Sequence, residues 1–440
     1  MHSANPSQSV DSLRAQARTA LESRRASEAA QIYERLIGLD PGDREALGFL
    51  AGRALAMGDG QQARRWFACW HEQAPGDPDA ILGLGRALAQ QGELQQARSM
   101  LETGLRMKPG AFMARFALGE LLLRQGDETA AVLQLYRAIL DAQMLGRWLN
   151  DASTHPSMRL SVQNAIALVT RHRLQMYDRV IEPIRQTYGS METARVDRCL
   201  RIYLQIEAPD YPDARQRPKF LYFPGLPATP YFARQHFPWL TDLEARTSDI
   251  LAEFQAIAGR SDLLQPFLAD RPSEAADSYL AGSAGLQSWN AYFFYRHGQR
   301  YPAHCEQCPQ TTAVLDACPL VRIREHGPEI CFSLLAPGSH ILPHQGVTNT
   351  RAVVHLPLVV PEDCALTVGS EIHRWRVGEA VAFDDTFMHE AWNRSNRLRA
   401  IVLMDAWNPH LSACERAAVT ALVEAIGDFN TRTEQPLMRE

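Results

Sequence analysis

A 34-residue period governs the first third of the chain. Proline stands at 41, 75 and 109, glycine at 58, 92 and 126, and alanine at 46, 80 and 114 and again at 63, 97 and 131. Each of the three glycines is followed by an acid, Asp59, Glu93 or Asp127. Glycine permits the left-handed turn that ends one helix, small alanines let two helices approach closely, and proline cannot continue a helix. The period therefore spells helix, turn, helix, stop. Ala29 lies 34 residues before Ala63, so a first, irregular repeat begins near Val10, with Arg24 where the others carry glycine.

A helix pair of this length is the tetratricopeptide signature, and about four such pairs fit between residues 10 and 141. One pair cannot bury its own apolar face, so the array must stack as an all-α solenoid. The concave face of such an array usually takes a peptide or protein partner. It serves equally as a spacer or a dimerisation arm, because the period shows shape and not partner. The period is lost after 141, and 142–216 reads as a helical bridge and linker. Apolar Val162, Ile166, Val169 and Leu174 predict a helix over Ser161–Tyr177, continued by an apolar-periodic stretch through Ile181, Ile184 and Tyr188. A further helix is predicted over Val196–Ile206, Arg171, His172 and Arg173 read as a solvated face, and Pro209–Pro218 reads as the linker.

At 440 residues the chain is too long for one ordinary core, which makes it multidomain. A formal net charge of −5 argues against nucleic acid as a partner, since phosphate neutralisation wants a basic surface. No run approaches the roughly 18 apolar residues of a membrane span, so no membrane partner is expected. The N-terminal stretch has no apolar core of the kind a signal peptide needs. Eight cysteines are too sparse for a disulfide scaffold, and a reducing cytoplasm is the expected location. The oligomeric state has no sequence signal.

From 217 to 415 the pattern turns to strands. A strand is predicted over KFLYFPGLP (219–227), a helix over Thr241–Gly259, a loop or lid over Arg260–Gly285 and a strand over Trp289–Arg296. Three more β-type runs follow, Arg351–Val360, Ala380–Phe383 and Arg399–Trp407, parted by turn-forming clusters such as PED and NRSN. Residues 416–440 read as a C-terminal helix and tail. His344 precedes the first of the three runs and His389 lies between the last two, so only a folded-over sheet brings the imidazoles together. Two neutral imidazoles and a nearby arginine, Arg399, suit a metal and a dicarboxylate. Spacing alone also fits two surface histidines. Cys305, Cys308 and Cys318 beside His304 hold one CxxC that could make a zinc site, although the fourth ligand is ambiguous and there is no second CxxC.

The words in this stretch carry more than their spacing. HxGxTN at His344–Asn349, HLPL at His355–Leu358, FDDTFxHEAWN at Phe383–Asn393 and a strand from Arg399 ending DAWNP stand in that order. With YFPGLP (Tyr222–Pro227) and FPWLTDLE (Phe237–Glu244), residues 215–412 resemble the catalytic domain of the aspartyl/asparaginyl β-hydroxylase family. The resemblance implies a double-stranded β-helix (jelly-roll, cupin-like) oxygenase domain that uses Fe(II), 2-oxoglutarate as cosubstrate and O2. His344 and His389 would be the catalytic metal ligands. Most such oxygenases add a carboxylate two residues after the first histidine; here that position is Gly346, and the family itself carries glycine there, with water in the vacancy. Asp384 and Asp385 read as carboxylates that orient ligands from outside, direct ligation being the alternative.

Arg399 and Ser333 would hold the distal carboxylate of 2-oxoglutarate, with His355 near the metal. Many members carry an arginine where this chain has Val353, so Arg351 is assigned to a cosubstrate or substrate carboxylate, or to a strand-end salt bridge. Arg397 would share the facing of Arg399 if the strand reached it. Trp289, Trp392 and His340 would line the substrate approach or serve as core and rim. The implied reaction decarboxylates 2-oxoglutarate to succinate and CO2 while hydroxylating an unactivated C–H. The expected target is the β-carbon of Asp, Asn or a similar residue in a peptide or protein that the repeats recruit. Relatives also act on free amino acids and acyl chains. A non-catalytic adaptor, in which the oxygenase fold only binds, is the competing class.

Overall fold

The computed structural model describes residues 9–269, 279–282 and 285–434. The chain divides into two compact units, one running up to His172 together with the residues from Phe429 on, the other Arg173–Asp428. No helix among the described residues is long and apolar enough to cross a membrane.

The first unit is built from helix pairs: α1 (Val10–Glu22) with α2 (Ala26–Leu39), α3 (Arg44–Ala56) with α4 (Gly60–Gln73), α5 (Pro78–Gln91) with α6 (Leu94–Met107) and α7 (Phe112–Arg124) with α8 (Glu128–Met144). Gly58, Gly92 and Gly126 adopt φ of 75°, 84° and 82° at the turns. Arg24 takes the same left-handed conformation, φ 57°, in the first repeat, where its side chain carries the strain that glycine escapes elsewhere. The side chains of Asp43, Asp59 and Asp127 cap α3, α4 and α8 by accepting from the N–H three residues on. Periodic Ala46, Ala63, Ala80, Ala97 and Ala131 are fully buried. Close approach is strict at Gly83, where a Cβ would stand 2.0 Å from the Phe67 ring. Two expected bridge segments form one helix, α9 (Arg159–Tyr188), with Pro183 inside it, and α10 (Ser190–Tyr203) follows.

The second unit holds two antiparallel sheets. The larger runs β1 (Gln265–Pro266), β3 (Trp289–Arg296), β5 (Ile330–Leu335), β12 (Arg399–Trp407), β7 (Arg351–Val359) and β10 (Val381–Phe383) in spatial order, with β4 (Gln299–Arg300) beside β3. The smaller runs β2 (Leu280–Ala281), β6 (Ser339–His344), β11 (His389–Asn393), β8 (Cys364–Val368) and β9 (Glu371–His373). Side chains alternate across the larger sheet, as a period of two requires. Phe294, Phe332, Val354 and Val402 turn outward and pack beneath Leu243, Ile250 and Phe254. Trp289, Leu335, Val353 and Phe383 turn inward and meet Ile341, Leu366 and Ala391 of the smaller sheet.

Two expectations need correction. The stretch KFLYFPGLP is not a strand; it is irregular backbone pinned to residues 346–348 by Phe220 N–H and Leu221 N–H, which both donate to the Val347 carbonyl. Pro218, Pro224 and Pro227 remove the donors a ladder needs, and Asn349 replaces it locally by accepting from Phe223 N–H and donating to Phe223 O. The predicted helix over Thr241–Gly259 is two, α11 (Leu240–Ala245) and α12 (Thr247–Ile257), broken at Arg246. Within the predicted loop or lid, β1 and β2 appear as short strands, while 270–278 and 283–284 lie outside the described residues, as does the tail after 434.

Candidate active site

The hydrogen-bond register of the smaller sheet puts His344, the last residue of β6, directly opposite His389, the first of β11. Their ring centroids are 4.1 Å apart with the planes inclined at 52°. Both rings bond the same way: Nδ1 of His344 meets the Leu342 carbonyl at 2.8 Å and Nδ1 of His389 meets the Phe387 carbonyl at 3.1 Å. A carbonyl accepts only, so each Nδ1 carries the proton and each Nε2 keeps its lone pair. Burial pushes both imidazoles down to about 4, so they are neutral at neutral pH. Two neutral nitrogens fixed in tautomer by backbone carbonyls suit a divalent metal.

Both rings line a cavity of about 630 Å³, and Ser333, Arg351, His355 and Arg399 line it too. Arg399 opens β12, with 1% of its surface exposed. Its Nη1 reaches the Ser333 carbonyl at 3.3 Å, and Ser333 Oγ in turn accepts from Trp289 Nε1 at 3.0 Å. The guanidinium lies 5.2 Å from the Trp375 ring, and its Nε has no hydrogen-bond partner. Among the described residues no carboxylate pairs with it, and burial lowers it to about 10. A buried cation without a counter-ion is costly, so this site is built for an anion that comes from outside. His355 is buried opposite Leu403 of β12, and its Nδ1 is also without a partner.

Gly346 now has a physical reason. A Cβ there would stand 2.1 Å from Cγ and Oδ2 of Asp385. The space a third ligand's side chain would enter is already filled by a carboxylate from a different segment. Asp385 cannot easily yield it: its backbone carbonyl accepts from Gly346 N–H at 2.6 Å, and its Oδ2 accepts from Arg351 Nη2 at 3.4 Å. Its Oδ1 is buried without a partner. Gly346→Ala is therefore expected to destabilise the protein by about 1–3 kcal/mol, the usual range for overpacking. Adding Asp385→Gly should recover most of that loss. Urea unfolding of the single and double variants checks both; an alanine variant as stable as wild type would refute the contact.

Asp384 is structural: its Oδ2 accepts from Gln216 Nε2 at 2.6 Å and its Oδ1 from Thr386 N–H at 2.9 Å. Arg351 has two nitrogens committed to protein carboxylates, Nη1 to Asp405 at 2.9 Å and Nη2 to Asp385, while its Nε has no partner. The salt-bridge reading of Arg351 thus describes most of its contacts. Arg397 does not share the facing of Arg399, because β12 begins at Arg399 and Arg397 lies exposed in the preceding turn. Trp289 lines the cavity; His340 and Trp392 do not, and His340 Nε2 instead bonds Glu390 at 2.7 Å.

Cys305, Cys308 and Cys318 are buried, and burial raises all three thiols. Cys305 and Cys318 donate to the carbonyls of Phe294 and Val314. All three pack into the hydrophobic core on the outer face of the larger sheet. Sequence reasoning missed Asp405, Lys219 and Tyr279. Asp405 was within reach, since it shares the inward parity of Arg399 on one strand; the other two carry no motif.

Residues 244–409 match the family model described as aspartyl/asparaginyl beta-hydroxylase, and 14–78 and 82–145 match tetratricopeptide repeats. Aspartate beta-hydroxylase domain-containing protein 2 of Xenopus tropicalis is 31% identical over 213 residues, 47% of this chain and 55% of that protein. Human aspartyl/asparaginyl beta-hydroxylase is 33% identical over 135 residues, 30% of this chain and 18% of that protein. Ornithine lipid ester-linked acyl 2-hydroxylase of Rhizobium tropici is 27% identical over 233 residues, 51% of this chain and 75% of that protein. The first of these relatives is thus spanned over little more than half its length. The chain therefore joins tetratricopeptide repeats to a domain that matches the aspartyl/asparaginyl beta-hydroxylase family model.

Proposed function

We propose that the second unit is an Fe(II)- and 2-oxoglutarate-dependent oxygenase with a double-stranded β-helix core of the jelly-roll, cupin-like kind. The observation that carries the reading is Arg399: a fully buried guanidinium with no counter-ion among the described residues, in the same cavity as two adjacent, neutral histidines. His344 and His389 would hold the iron through their free Nε2 atoms. Arg399 takes the distal carboxylate of 2-oxoglutarate, and Ser333, held by Trp289 Nε1, adds a hydroxyl contact. His355 supplies a neutral nitrogen on the same wall. Bound iron with O2 supplies the oxidising power, 2-oxoglutarate leaving as succinate and CO2 while the substrate C–H becomes C–OH.

The remaining side chains orient and exclude. Asp385, steadied by Arg351, fills the space beside Gly346 that the side chain of a third protein ligand would need. Phe293, Ile401, Leu403 and Phe383 give the cavity apolar walls that keep bulk water out. The expected substrate is the β-carbon of Asp, Asn or a similar residue, in a peptide or protein brought by the repeats. The test needs no substrate. Wild-type protein should bind Fe(II) and 2-oxoglutarate without oxygen and release succinate slowly when O2 is admitted. No iron binding and no succinate would sink the enzyme reading and leave the repeats, as an adaptor, the working part.

A further inference from the structure

Outside the groups already assigned, the cavity wall carries charges that differ in how they are satisfied. Glu329 bonds His297 Nδ1 at 2.8 Å, and Glu325 lies 3.7 Å from Arg324. Arg296 sits 4.5 Å from the Phe293 ring and donates to the Phe267 carbonyl. Lys219 is the exception: its ammonium donates to Tyr279 Oη at 3.3 Å, and no carboxylate pairs with it among the described residues. It lies 5.5 Å from the Tyr279 ring, and that ring in turn stands 5.6 Å from His344, edge to face.

The position of Lys219 is fixed at its backbone. Its N–H donates to the Gly346 carbonyl at 3.1 Å, two residues from His344, and Phe220 N–H donates to Val347 O. The side chain is exposed, yet it lines the same cavity as both histidines. A cation anchored at its backbone, with no carboxylate partner among the described residues and one aromatic ring away from His344, is placed to meet a negative group on whatever enters.

We propose that Lys219, backed by Tyr279, is the contact that selects a substrate with an anionic group beside its reacting carbon, an aspartyl carboxylate in preference to an asparaginyl amide. The proposal rests on the oxygenase reading above and sharpens it, since aspartate and asparagine have nearly the same shape and differ in charge. Arg351 also lines this cavity, but its two terminal nitrogens are occupied by Asp405 and Asp385. A neutral amide gains little from an ammonium; a carboxylate gains a charge-assisted hydrogen bond. The screened position of Lys219 limits the preference to about fivefold to tenfold.

The probes are N-acetyl-L-aspartate amide and N-acetyl-L-asparagine amide, added to full-length protein loaded with Co(II), which does not turn over, and 2-oxoglutarate. Calorimetry and the Co(II) absorption bands both read binding. Wild type should bind the aspartyl probe about fivefold to tenfold more tightly, with the margin shrinking as salt is raised. Lys219→Met should erase the margin and Lys219→Arg should keep it. Equal binding of both probes by wild type, no binding of either at millimolar concentration, or an unchanged margin in Lys219→Met would each overturn the proposal. Failure of the oxygenase reading shows separately, as wild-type protein that takes up no Co(II) or 2-oxoglutarate before any probe is added.

Discussion

Arg399→Met is expected to cost the protein its hold on 2-oxoglutarate while leaving the ligand-free fold at least as stable as wild type. Removing one side of a buried, hydrogen-bonded charge pair typically costs about 3–4 kcal/mol, two to three powers of ten in affinity. On the proposed reading the pair forms only when cosubstrate binds, because no carboxylate pairs with Arg399 among the described residues. In the free protein the substitution removes a buried charge that lacks a counter-ion, and methionine refills much of the volume. Calorimetric titration of 2-oxoglutarate and thermal unfolding of the ligand-free protein read the two halves. Retained 2-oxoglutarate affinity would assign the cosubstrate elsewhere. A large fall in ligand-free stability would mean that Arg399 is structural.

His389→Ala should abolish measurable binding of Fe(II), or of Co(II) as its stable stand-in. Loss of an outer partner that merely orients a ligand costs about 10–100-fold in metal affinity, and loss of one of two protein ligands must exceed that. The imidazole is half-buried at the start of β11 and its Nδ1 bonds the Phe387 carbonyl, so the fold should survive its loss. Metal titration with a circular-dichroism control separates the two effects. A folded variant that still binds metal as wild type does would remove His389 from the site.

The repeat array was legible because its determinants are local and recur. Proline, glycine and alanine at a 34-residue step act within one helix pair, and the structure needs nothing distant to realise them. Even the irregular first repeat follows the rule, Arg24 taking the left-handed turn in the slot where the others have glycine. The strands over Trp289–Arg296 and Arg399–Trp407 were legible for a similar reason, since alternation and β-branched content are properties of the segment. KFLYFPGLP misled because its aromatic residues look like a strand. The three prolines that flank and interrupt it leave its backbone to be satisfied by Asn349.

The site divides along the same line. His344, His389 and Arg399 could be named from ordered words, but whether the rings meet is a matter of register between β6 and β11. Gly346 shows the limit most clearly. In sequence it is a missing carboxylate, and in space the place is held by Asp385, whose side chain arrives from another strand connection. In sequence Arg351 fits a cosubstrate or substrate carboxylate or a strand-end salt bridge equally, and only the fold brings Asp405 and Asp385 to it.

By itself the sequence determined a repeat solenoid, a strand-rich domain after it, and the residue types that meet in the cavity. Periodicity and turn chemistry act over a few residues, and those rules are written along the chain. The tertiary structure alone decided which charges are paired. Asp385 occupies the gap at Gly346, Arg351 is committed to two aspartates, and Arg399 and Lys219 meet no anion among the described residues. Pairing depends on distances between strands far apart in sequence, and on burial that no single segment encodes.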